Sequence, residues 1–200
     1  MISHQEEYIS CFKKSFESYH PVSDSSWKSI EQLIRFKKVA KGGFLLHAGQ
    51  VARNIHFVCK GLFRAFYTDI EGNVYNKIFF LENDYPASTV SLLLSAPSVF
   101  SIEALEEGLV INLDFQKYRQ LIDKHDDIKN FYISYIEKNW IIEKEQREIA
   151  LVTQNATERY LSLQKKYPSL EKRVPQFHIA SHLGITPTQL SRIRKDLATK

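Results

Sequence analysis

Cysteine is scarce in this chain: Cys11 and Cys59 are the two it has. Two thiols build no disulfide framework and cannot supply the four thiolates of a common iron–sulfur cluster, which points to a reducing compartment. Long apolar runs are also missing. The stretch from Val90 to Pro97 is among the longest and falls far short of a bilayer span. The opening residues, Met1-Ile2-Ser3-His4-Gln5-Glu6-Glu7, lack the basic start and apolar core of a signal peptide, so a cytoplasmic location is expected. No internal repeat and no low-complexity segment interrupts the chain.

Charge is present, but unevenly placed. Residues 159–200 carry nine Lys/Arg against two Asp/Glu, while residues 1–158 carry 18 against 21. A basic C-terminal module on a slightly acidic body points to a polyanion at one end.

Four zones follow from periodicity. Residues 1–33 read as helical, with apolar positions at Tyr8, Ile9, Phe12, Phe16, Trp27, Ile30 and Leu33, broken by Pro21 and recapped within Ser23 to Ser26. Residues 35–115 read as short strands between glycines, clearest at Ile55 to Cys59, Leu62 to Thr68 and Val74 to Leu81. Asp69 to Asn73 makes a hairpin loop in which Gly72 or Asn73 takes positive φ. A short helix is expected near Thr89 to Leu94. Residues 116–153 are mostly free of Gly and Pro and strongly helical after Asp126-Asp127. Residues 155–200 hold short helices, one capped by Asn155.

Residues 174–197 carry the sharpest motif. Gln176 to His182 make a first helix, Ala180 is small where a second helix crosses, and Gly184 supplies a left-handed turn residue. Thr186 caps the second helix and Pro187 occupies its first position. Leu190, Ile193 and Leu197 form the inward stripe. The outward face holds Thr188, Gln189, Ser191, Arg192, Arg194 and Lys195, polar and basic side chains suited to base edges and phosphates in a major groove. The pattern is a helix-turn-helix.

From these residues the sequence resembles the family of the cyclic-AMP receptor protein and the fumarate–nitrate reduction regulator (Crp/Fnr). The spaced glycines of Gly43 to Gly49, Val58 to Arg64 and Asp69 to Gly72, in that order, are similar to the family's sensor. The resemblance implies an α+β fold: an N-terminal β-roll (a double-stranded β-helix or jelly-roll, like a cyclic-nucleotide-binding domain) with N-terminal helices over 1–115, a long dimerisation helix over 116–153, and a C-terminal winged helix-turn-helix over 154–200. It places base reading on Thr188, Gln189 and Arg192, with Ser191 nearby.

The sensor departs from the family's phosphate-binding pattern. Ser88 stands where a ribose-binding glutamate is expected, Ser98-Val99 stand for an Arg-Ser pair, and no arginine lies between Arg64 and Arg119. An anionic cyclic phosphate needs a guanidinium and amide donors, so cyclic AMP is not the expected ligand. His47 and His56 are isolated, and His178 and His182, four apart on a helix, have no companion ligand nearby, so no metal and no cofactor is expected.

Ile128, Tyr132, Tyr135, Asn139, Ile142, Gln146, Ile149 and Thr153 keep a four-three alternation, the seam of a coiled coil with polar breaks. Alternatively this helix packs on the β-roll through Phe131, Trp140 and Ile141. The expected partners are double-stranded DNA with a pseudo-palindromic operator, a second copy of the chain, and RNA polymerase. A small effector of unidentified chemistry suits the sensor; no membrane is expected. A sensor acting through protein contacts, and a cupin-like enzyme, are the competing readings. The second lacks a His/carboxylate cluster, so the chain is not expected to be an enzyme.

Overall fold

The structure is a computed structural model that describes residues 2–199. Two helices lead, α1 (Ile2–Glu17) and α2 (Asp24–Glu31), the latter N-capped by Ser23, whose hydroxyl accepts from the Ser26 amide at 3.3 Å. Seven strands follow: β1 (Arg35–Val39), β2 (Phe44–Leu46), β3 (Asn54–Lys60), β4 (Phe63–Thr68), β5 (Val74–Phe80), β6 (Ser101–Ala104) and β7 (Gly108–Asp114), with α3 (Thr89–Leu94) between β5 and β6. They form two antiparallel sheets, β1-β7-β3 and β2-β6-β4-β5.

The burial patterns explain the layering. In β4, Phe63 and Ala65 point inward while Arg64 and Phe66 alternate outward. In β3, His56, Phe57 and Val58 are buried in succession, because helices cover the outer face of that sheet. Val58 and its register partner Val110 fill the roll interior, and Phe57 and Ile111 face α1 and the later helices. Gly61 and Gly108 let two turns touch: a Cβ on Gly61 would lie 2.8 Å from the Gly108 Cα, at a φ of +100°. In the β4–β5 loop Gly72, and not Asn73, takes the positive φ.

Helix α4 (Phe115–Lys124) starts directly from β7, N-capped by Asp114. His125 is extended and separates it from α5 (Asp126–Ile136). The expected single helix over 116–153 is thus two pieces. The second runs through a π-helical segment (Glu137–Ile142) into α6 (Glu143–Thr153). Then come α7 (Ala156–Lys166), with a capping box between Asn155 and Glu158, and α8 (Leu170–Arg173), α9 (Gln176–Leu183) and α10 (Pro187–Ala198).

The wing is a second correction. Among the described residues no strand follows Asp114. The stretch between α7 and α9 has no alternating pattern and is taken up by the single turn α8, and α10 runs almost to the last described residue.

Candidate nucleic-acid interface and sensor cavity

The α9–α10 unit is built by local chemistry. Gly184 closes α9 with φ +67°, and Ile185 donates back to the Ala180 carbonyl at 3.0 Å. Thr186 caps α10: its hydroxyl accepts from the Gln189 amide at 3.2 Å, while Gln189 Oε1 accepts from the Thr186 amide at 2.9 Å. Leu190 is fully buried, with Ile193 and Leu197 packed against the same core. Thr186, Thr188, Gln189, Ser191, Arg192 and Lys195 are exposed. Arg194 differs. It is half-buried and its Nε lies 3.7 Å from Glu171, so it leans inward rather than into a groove. Gln189 is also partly committed, since its carbonyl oxygen closes the capping box.

The unit is clamped to the roll, a feature the sequence did not reveal. Strand β5 is a sheet edge, and α9 satisfies it with side chains. Ser181 Oγ donates to the Val74 carbonyl at 2.7 Å and accepts from the Asn76 amide at 3.0 Å; His182 Nδ1 lies 3.1 Å from the Asn76 carbonyl. Beneath them, the Arg64 guanidinium is shared among Glu103 (2.8 Å), Asn76 Oδ1 (2.9 Å) and His178 Nδ1 (3.0 Å), and Asn76 Nδ2 donates to the His178 carbonyl at 2.8 Å. Arg173 forks onto Glu82 (2.8 Å) and Glu106 (2.7 Å). Leu62 and Phe79 of the roll share one apolar core with Tyr160, Leu170, Ile179 and Leu190. His178 and His182 therefore serve as hydrogen-bonding partners of the roll, and among the described residues no group of three or more His, Cys, Asp or Glu side chains could hold a metal.

In the roll, Ser88 and Ser98 are buried and bonded to each other at 3.0 Å, and Ser98 also donates to the Phe100 carbonyl. Beside Ser88 opens a cavity of about 150 Å³ whose walls include Leu46, Ala87 and Ile102 and whose polar lining includes Arg53 and His56. His56 is buried, its Nδ1 2.6 Å from Asn112 Oδ1, and burial lowers its pKa to about 4, keeping the ring neutral. A second space, between the roll, α1 and the α5–π helix, is mostly filled by aromatic rings and retains about 50 Å³.

The expected dimer seam divides. Ile128 is fully buried in the intramolecular core, Tyr132 and Tyr135 pack against it, and Asn139 donates to the Tyr19 hydroxyl at 3.2 Å. Ile142, Gln146, Ile149 and Thr153 are exposed, as are Ile141 and Val152.

Comparison with known proteins supports the architecture. Residues 36–125 match the cyclic nucleotide-binding domain. No curated protein sequence matches. The fold is similar to a putative cAMP-binding regulatory protein from Silicibacter pomeroyi DSS-3 (16% identity, TM-score 0.67, covering 95% of this chain and 88% of that one). It is also similar to FixK2 from Bradyrhizobium japonicum (15%, 0.67, 83% and 85%). The catabolite activator protein of Thermus thermophilus is a third (16%, 0.56, 90% and 86%). No helix among the described residues is long and apolar enough to cross a membrane.

Proposed function

We propose that this chain is a homodimeric, sequence-specific DNA-binding transcription regulator of Crp/Fnr type whose roll does not take cyclic AMP. The exposed polar face of α10 carries the reading. Thr188, Ser191, Arg192 and Lys195 stand in solvent on a capped helix whose opposite stripe is buried, and Arg192 has no ion-pair partner among the described residues. In this reading residues 1–115 sense, 116–153 dimerise and 154–200 bind DNA. Two copies of α10 meet half-sites about 34 Å apart, one turn of the duplex. The dimer then acts on RNA polymerase at the promoter. Cyclic AMP is disfavoured because Ser88 and Ser98 satisfy one another and Arg64 is held by Glu103, which leaves no buried, unpaired guanidinium for a phosphate among the described residues of the roll.

Selection of bound sequences from a random duplex library at about 0.15 M salt tests the proposal, since phosphate contacts alone weaken there and selectivity persists. A pseudo-palindromic consensus is expected. Arg192→Ala should lose about 1–3 kcal/mol of specific binding and relax one base position, while Lys195→Ala weakens all sequences alike and flattens the salt slope. Failure to enrich any sequence would favour a sensor that acts through protein contacts.

A further inference from the structure

We infer that the cavity beside Ser88 is a binding site for a small hydroxylated monocarboxylate, with the carboxylate on Arg53 and the hydroxyl on His56. Its size sets the first limit: about 150 Å³ is the volume that holds a benzene-sized molecule, roughly six heavy atoms, and a cyclic nucleotide is several times larger.

Charge sets the second limit. No Asp or Glu lines the cavity, and Arg53, exposed at its mouth, has no hydrogen-bond or ion-pair partner for its guanidinium among the described residues. An unpaired guanidinium is matched by a carboxylate. His56 sets the third. Asn112 Oδ1 can only accept, so His56 donates through Nδ1 and its Nε2 is a lone-pair acceptor without a partner among the described residues. His56 lines the cavity and its Nε2 is not sealed, so a donor such as a hydroxyl can reach it. The walls between, including Leu46, Ala87 and Ile102, are aliphatic and suit a short carbon chain.

The site also touches what could carry a signal. The His56 amide donates to the Pro86 carbonyl at 3.2 Å, and the Ala52 amide donates to Ser91 Oγ at 2.9 Å, so β3, which holds His56, and the residues just before it, which include Arg53, are tied to the segment bearing α3.

The inference rests on the sensor reading for its consequence, but binding is measurable without DNA. Titration calorimetry on the full chain would use lactate, 3-hydroxybutyrate, propanoate, inorganic phosphate and cyclic AMP. Lactate or 3-hydroxybutyrate should bind at millimolar concentration or tighter, propanoate more weakly for want of the hydroxyl, and Arg53→Gln should weaken the hydroxy acids at least about tenfold. Arg53 is exposed, so that variant keeps the fold, and the propanoate comparison tests His56 without a core mutation. The inference is overturned if no hydroxy acid binds at about 10 mM, if Arg53→Gln binds equally well, or if phosphate or cyclic AMP binds as tightly. Selective DNA binding that persists alongside such a result would leave the regulator reading intact and remove this site alone.

Discussion

Among the described residues the Tyr118 hydroxyl has no hydrogen-bond partner. The residue is buried between α4 and the roll, and burial holds its pKa well above the ordinary phenol range. A sealed, unpaired polar group is destabilising by about 1–3 kcal/mol relative to a paired or absent one. Tyr118→Phe keeps the ring and its contacts with the apolar core while removing the orphan oxygen. It should raise the free energy of unfolding by about 1 kcal/mol, read from the urea midpoint at unchanged slope. A lower midpoint would mean that the hydroxyl is bonded in solution, for instance to an ordered water. At this scale the sequence was informative wherever partners are near in the chain: Thr186, Pro187 and Gly184 announced their helix because capping acts over three residues. It was silent on Arg173, whose carboxylate partners lie 91 and 67 residues away.

Elements repeat the distinction. The alternation of apolar residues from Ile128 onward was legible because periodicity is local, but two surfaces compete for such a stripe and the pattern does not say which wins. The structure gives the first half to the molecule's own core, where Phe16 stacks on Phe131 and Tyr19 meets Tyr135 edge-on. The π segment at Glu137–Ile142 marks where the face changes, and beyond it Ile142, Ile149 and Val152 are 53%, 53% and 84% exposed. If a second copy covers that half, Ile149→Asp should convert dimer to monomer in sedimentation analysis, since a charge in an apolar seam goes unpaired. The contrasting variant is Ile128→Ala, which should lower stability by about 2–5 kcal/mol and leave the dimer contacts in place. A dimer that survives Ile149→Asp would move the two-fold axis elsewhere.

At the scale of the whole molecule, the α9–β5 clamp joins the roll and the α9–α10 unit through one shared core, so they should respond together to acid. Burial first, and the neighbouring Arg64 cation second, lower the His178 pKa to about 4; burial likewise lowers that of His182. For a histidine with a depressed folded pKa, the unfolded or detached state takes the proton first. The clamp's stability is therefore complete above about pH 6.5, the ordinary histidine value, and is lost as pH falls toward 4. Protonated His178 can no longer accept from Arg64 and places two cations 3.0 Å apart. Hydrogen exchange, expressed as protection factors, should show α9 and β5 opening between pH 6.5 and 5 while β7, buried between β1 and β3, keeps its protection. His178→Asn retains an acceptor for Arg64 and cannot titrate, so its α9 protection should fall less across that range, the remaining loss belonging to His182. Equal pH dependence in wild type and variant would assign the acid response to another group, with His182 of the same clamp the next to substitute.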